Sequence, residues 1–311
     1  MLQTAIRAAR AAGAVLAERY RRPHRVTVKG LRDILTEADL AAEEAALGVI
    51  RAESPQGLIM SEESHADWVT DPERPVWFVD PLDGTANYAR GLPMFATSVG
   101  VAVGGEVRCG VVYDPLLDHL FTAERGGGAC LNGARLAVSP RRDPMDCLVT
   151  LDWPRAPEAR RQAAEYLARV ASHVDAVRSR GCASLGLCYV AAGWADAYWQ
   201  YTLSAWDVAA GVLLVAGAHP ADAPRVVEVV PLLAVRQVAT RLEEPVDELD
   251  GGEEVQVRAE QEQRHGPPLL VLEVAGEQSF TLVGRESLEQ PSSEFDSAMG
   301  PEPYQARPLV G

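Results

Sequence analysis

The chain has 311 residues, 47% of them apolar, and a net charge of −15. That length and apolar share can fill one large core or two ordinary ones, and the charge would repel a phosphate backbone, which argues against bulk nucleic-acid binding. Arginines interrupt the N-terminal apolar spacing, so it is not a signal peptide, and no stretch approaches the roughly 18 uncharged apolar residues of a membrane span; a cytoplasmic protein with no membrane partner is expected.

The charge is uneven. From Ala221 to Gly311 there are 18 acids against 7 arginines, or −11, which leaves −4 for the first 220 residues. Of 29 basic residues only Lys29 is a lysine. The five cysteines, at 109, 130, 147, 182 and 188, are odd in number and lack CxxC spacing. Reduced, mostly buried thiols are expected, with neither a disulfide framework nor a zinc site. The six histidines show no i, i+4 pair and no HExxH, so each reads as a surface or core residue.

In chain order, positions 2, 6, 9, 16 and 20 place leucine, isoleucine, alanine, leucine and tyrosine on one helical face. "VTVKG" reads as a short strand. "LTEADLAAEEAALGVIRAES" reads as a helix opened by Thr36 with Asp39 three residues on, a capping-box pattern. "GLIM" and "VWFVD" are short buried strands, each delivering acids at its C-terminal end. The run from Phe95 to Gly133 alternates strand-like segments with Gly-Gly, Asp-Pro and Gly-Gly-Gly turns, as an antiparallel meander does. "GGGACLNG" fits neither a Walker loop nor GxGxxG and is taken as a hairpin corner. Pro157 to Ser172 is helical, "ASLGLCYVAAG" is a small-residue helix and "ADAYWQ" a strand. "WDVAAGVLLVA" is a buried helix with Asp207 expected at its N-cap. Beyond about His219 the texture changes to an acidic turn-rich segment, a hairpin at "LLVLEVAGEQSFTLVG" and a Ser-, Glu- and Pro-rich tail.

The acids at strand ends invite a chemical reading. Burying Glu62, Glu63, Asp80, Asp83 and Asp207 together is expensive unless a cation neutralises them. All-oxygen donors suit magnesium, manganese or calcium. Asp80 and Asp83 flank a proline that stiffens the backbone, and Gly84-Thr85 can form an anion nest. Two divalent ions together with backbone amides would suit phosphomonoester hydrolysis. Singly, each element has an ordinary reading: Asp39 as the acid of a capping box, Asp207 as an N-cap, "DPLDG" as a plain turn, Cys182 as a small core residue. Their joint occurrence in order favours the site.

"DPLDGTANY", preceded by "SEES" and followed far downstream by "WDVAAG", resembles the inositol monophosphatase family of magnesium-dependent, lithium-sensitive phosphatases. "VKGLRDILTEAD" and "GCASLGLCYVAAGWADAYW" are similar to two further family segments, and the likeness runs to about Gly217. It implies a mixed α+β chain folded as a layered α/β/α/β/α sandwich, commonly a homodimer. It implies two or three Mg2+ ions, with Mn2+ possible, on Glu62, Asp80, Asp83, Asp207 and the Leu82 carbonyl, a third and weaker ion falling to Asp39. Asp39, Glu62, Thr85 and Lys29 would be the catalytic set. Asp83, Gly84, Thr85, Gly181, Cys182, Gln200 and Asp207 would hold phosphate and substrate, a small phosphorylated metabolite. Inositol-type members have a glutamate where this chain has Gln200, which can still hydrogen-bond a hydroxyl but lacks the charge; a sugar or inositol monophosphate ranks first because "DGTANY" and "LPMFATSVG" look most like that branch. Fructose 1,6-bisphosphate, histidinol phosphate and adenosine bisphosphates stay open, as does a binding or regulatory protein that keeps the fold without catalysis. Three regions are expected: 1–140 with the metal motifs, 141–220 with the Trp-Asp motif, and 221–311, where the usual family ending is not recognisable and an acidic segment is diverged or appended.

Overall fold

The computed structural model describes residues 1–22, 25–64 and 73–219; the expected C-terminal hairpin and the acidic segment from 221 lie outside them. The N-terminal periodicity forms α1 (Leu2–Arg19), which buries Ala5, Ala8, Ala9, Ala12 and Leu16. These small side chains let α2 (Glu37–Glu53) approach closely with Ala38, Ala42, Ala46 and Ile50. Ahead of α2, β1 (Val26–Gly30) pairs antiparallel with β2 (Asp33–Thr36), a strand hidden in the sequence because it runs without a break into the helix cap. The capping box forms as the spacing predicts, Thr36 N donating to Asp39 Oδ2 at 2.8 Å and Ala38 N to Thr36 Oγ1 at 3.1 Å.

Seven strands make the central sheet, in chain order from edge to edge. β3 (Leu58–Ser61) and β4 (Val76–Asp83) are parallel. β5 (Ala96–Val103), β6 (Glu106–Asp114), β7 (His119–Glu124), β8 (Gly128–Leu131) and β9 (Ala134–Arg135) follow as the expected antiparallel meander. Strand alternation sorts its side chains between two helical layers. Trp77, Val79, Val99, Val101 and Val111 pack under α1 and α2. On the other face, Phe78 and Ala102 meet Ala209, while Val112, Phe121, Ala123 and Ala129 pack on α5 (Ala183–Ala191) and α6 (Ala205–Ala218). α6 lies flat on the sheet because two strand glycines make room: a Cβ on Gly100 would stand 2.7 Å from Ala209 Cβ, and one on Gly110 2.7 Å from Ala210 Cα.

Behind α5 lies a second, all-parallel sheet in the order β11 (Ala176–Ser179), β10 (Leu148–Leu151), β12 (Ala197–Trp199). Only β12 was expected from the sequence; β10 and β11 were not. α4 (Pro157–Val170) covers the outer face, Ala163, Tyr166 and Leu167 packing on Leu151 and Trp199. Helix pair, large sheet, helix pair, small sheet and single helix make the five-layer α/β/α/β/α sandwich.

Candidate active site

Asp80 and Asp83 are an odd number of residues apart, so a regular strand would turn them to opposite faces. β4 avoids this with a bulge: Asp80 pairs with Ser98, yet Asp83 pairs with Ala96, one extra residue having been inserted across Pro81 and Leu82. Both acids then reach the α6 side of the sheet, the face of Phe78. Leu82 N donates to Asp80 Oδ1 at 3.0 Å, and Ser184 N and Cys182 Sγ approach Asp83 Oδ2 at 2.6 and 3.2 Å. Gly84 turns the chain at φ 93°, where a Cβ would meet Met94 O at 2.8 Å, into α3 (Thr85–Ala89), a helix of five residues.

Three other segments converge there. Ser98 Oγ donates to Trp206 O at 3.3 Å, which seats the start of α6 beside Asp80. Asp207 is not the N-cap: Ser204 caps α6, and Asp207 is the acid of a second capping box, accepting Ser204 N at 2.6 Å. Glu62 follows β3, its amide extending the ladder to Val79 O at 3.1 Å. Buried Glu43 of α2 fixes this loop, one oxygen accepting from Ser61 Oγ, from Ser64 N at 3.1 Å and from Glu63 N at 3.3 Å.

Electrostatically the site is short of positive charge. Burial pushes the Asp80 carboxyl well above the usual range, with Glu62, Asp83 and Asp207 adding to it. Burial also raises Asp83 against the pull of Ser184, and it lifts Asp207 to about 8 with help from Glu62 and Asp83. Lys29 offsets part of this, its Nζ 2.9 Å from Glu63 Oε1 and 3.4 Å from Glu62 Oε1. Burial lowers that ammonium, but Glu62 and Glu63 outweigh it and raise it overall. Arg155 reaches Asp33 at 3.1 Å and Glu62 at 3.7 Å.

These groups line a cleft of about 760 Å³, with Lys29, Glu62, Asp80, Leu82, Asp83, Gly84, Thr85, Gly181, Cys182, Gln200 and Asp207 all on its wall. Asp39 stands behind it, fully buried, with Oδ2 held by Thr36 and Oδ1 accepting from Thr85 Oγ1 at 2.9 Å. From there Asp39 supports Thr85. Gly181 N donates to Asp152 rather than toward the cleft, and Cys182, whose thiol burial pushes well up, serves as a support for Asp83. All five cysteines are free, with 109, 182 and 188 buried. Sequence reasoning missed Asp152, Arg155 and Glu43. Asp152 is marked only by its place after β10, a strand the pattern does not show, and Glu43 only by being an acid on the buried side of an alanine-rich helix.

Among the described residues no group of three or more histidine, cysteine, aspartate or glutamate side chains is gathered closely enough to hold a metal ion by itself. A hard divalent ion does not require one, since magnesium keeps several waters and takes one or two carboxylates with a carbonyl. The oxygen-only donors of Glu62, Asp80, Asp83 and Asp207 on one cleft wall, with the Leu82 carbonyl within the same bulge, fit such an ion.

The five-layer fold and its acid-lined cleft have known counterparts. Residues 1–219 match the model of the inositol monophosphatase family, and the chain belongs to that family. It is 42% identical over 219 residues to the Nus factor SuhB of Pasteurella multocida, covering 69% of this chain and 81% of that protein. The SuhB crystal structure from Bartonella henselae superposes with a TM-score of 0.66 at 37% identity, over 70% of this chain and 84% of that one. The IMPase of Thermotoga maritima gives 0.64 at 32% identity, over 70% and 82%. Among the described residues no helix is long and apolar enough to cross a membrane.

Proposed function

We propose that this protein is a metal-dependent phosphomonoesterase acting on a small sugar or inositol monophosphate. The observation that carries the reading is the convergence of Glu62, Asp80, Asp83 and Asp207, from three separate segments, beside the Thr85–Asp39 pair on one cleft. Glu62, Asp80, Asp83, Asp207 and the Leu82 carbonyl would hold Mg2+, which supplies an activated water and charge stabilisation at the leaving oxygen. The chain's own residues do the positioning. The Thr85 hydroxyl lies 2.9 Å from Asp39 Oδ1 and 3.0 Å from Leu82 O; with its one proton given to the charged Asp39, its lone pairs are left to accept a proton from a water in the cleft. Asp39, buried and held by Thr36, draws that proton on and fixes the hydroxyl's direction. Glu62 stands as a second acceptor, its charge moderated by Lys29. Gly84 and Thr85, at the turn into α3, are assigned to the phosphate, and Gln200 to the substrate's far end. The family setting supports a homodimer in the cytoplasm, which light scattering and fractionation would check.

The test is a panel of inositol, sugar, histidinol and nucleotide phosphates with magnesium, with and without lithium. Phosphate release that lithium suppresses and Asp83→Asn nearly abolishes is expected; no metal-dependent turnover on any ester would end the reading. The name Nus factor borne by curated relatives supports a second reading, in which the fold acts through a partner. Asp83→Asn separates the two, because a partner function would survive it while hydrolysis would not.

A further inference from the structure

The Asp83 carboxylate takes its orientation from another segment. Among the described residues every donor to its side chain sits at the start of α5, with Ser184 N at 2.6 Å and Cys182 Sγ at 3.2 Å both on Oδ2. β4 ends at Asp83 itself, so the strand fixes the Cα and α5 fixes the carboxylate. Where α5 starts is decided by the Arg180–Gly181 turn, which leaves β11 with Gly181 at φ 71°. Two residues grip that turn from its two sides. Asp152, which follows β10 and is 4% exposed, accepts the turn's amides on Oδ1, Gly181 N at 2.5 Å and Arg180 N at 2.9 Å. It is itself held to β12, its N donating to Trp199 O at 3.2 Å. Asn87 of α3 takes the turn's carbonyls, Nδ2 donating to Arg180 O at 2.7 Å and standing 3.2 Å from Gly181 O and 2.8 Å from Met94 O. Three carbonyls around one amide nitrogen settle which way the Asn87 side chain points, and a Cβ on Gly181 would press on that nitrogen at 3.1 Å.

We propose that Asp152 and Asn87 are positioning residues for Asp83: by holding the N–H and C=O groups of one turn they set the start of α5, and through it the direction in which Asp83 offers its other oxygen to a divalent ion. Their part in a reaction rests on the phosphatase reading, but their control of Asp83 does not. A carboxylate turned toward the cleft before the ion arrives need not be ordered on binding, which favours affinity. A charged acceptor suits the task, since one carboxylate oxygen takes both amides in bonds stronger than a neutral oxygen makes.

Asp152→Ala removes the grip on both amides, and two measurements on the full chain read the consequence. Hydrogen exchange at the Ser184 amide of the metal-free protein, followed by NMR, should quicken at least about tenfold. Magnesium affinity, by calorimetry, should fall about tenfold or more, the scale of one hydrogen bond to a charged group. Asp152→Asn, which keeps an accepting oxygen, should recover most of both. Asn87→Ala loosens the same turn from its carbonyl side and should shift both readouts in the same direction; should Asp152→Ala not fold, Asn87→Ala carries the test alone, with melting curves confirming that it is folded. A residue that only stabilises the fold would lower the melting temperature and leave magnesium affinity where it was. That result, or Ser184 exchange unchanged in a folded variant, would overturn the inference. Magnesium binding that responds as described in a chain that hydrolyses no ester would end the phosphatase reading and leave the positioning role standing.

Discussion

Metal binding should release protons, because the acids that fit the ions are held above their ordinary range in the metal-free protein. Burial and neighbouring acids lift Asp207 to about 8 and hold Asp80 well above its usual range. At pH 7 a carboxyl at about 8 is protonated roughly nine times in ten, and an ion can take only the carboxylate. Each proton fully displaced makes the apparent magnesium affinity rise about tenfold per pH unit, or about 1.4 kcal/mol. The rise should run from pH 6 to 8 and flatten above it. Calorimetric titration with magnesium at pH 7, in two buffers of different ionisation enthalpy, reads the protons directly. At least about one per protein is expected from Asp207, with about one fewer in Asp207→Asn. Stability runs the opposite way: the metal-free fold binds more protons than the unfolded chain, whose aspartates titrate near 3.8, so its melting temperature should fall as pH rises from about 4 to 8. Saturating magnesium should remove that slope. Buffer-independent heats together with an affinity flat across pH 6 to 8 would refute the reasoning.

Three further outcomes follow from the supports of the site. Glu43→Ala frees the Ser61–Ser64 loop and should weaken magnesium binding at least tenfold, by calorimetry, whereas Glu43→Gln, which keeps the accepting oxygen, should recover most of it; equal affinities would show that the loop holds itself. Thr85→Val leaves Asp39 Oδ1 buried without its donor, so urea melts should show a loss of about 1–3 kcal/mol while ester hydrolysis falls far more steeply than magnesium affinity. Gly110→Val drives a side chain into the backbone of α6 at Ala210 and should cost at least about 1–3 kcal/mol by overpacking; because α6 carries Asp207, magnesium affinity should fall with it, and a variant that kept both would contradict the close packing.

What the sequence shows and what it hides divide along physical lines. α1, α2 and the meander were legible because their signals are local: helical spacing, a capping box, turn glycines. Asp80 and Asp83 were legible as a pair, but not the reason they share a face, since a bulge is a property of register with β5 and leaves no mark on β4 itself. Asp152 was invisible because it follows a four-residue strand paired on both sides, whose identity comes from its neighbours.

The two capping boxes bear on a choice the sequence left open, whether Asp39 and Asp207 are structural caps or members of a site. Each is the third residue of its helix, and each gives one oxygen to the cap residue's backbone amide, at 2.8 Å from Thr36 and 2.6 Å from Ser204. A carboxylate fixed by one oxygen has its plane and its second oxygen fixed as well. In Asp39 that second oxygen meets Thr85; in Asp207 the carboxylate stands on the cleft wall among Glu62, Asp80 and Asp83. The cap is therefore the device that orients the acid, and the two readings are one. It also removes an entropic cost, since a side chain already locked by its helix need not be ordered when a ligand arrives.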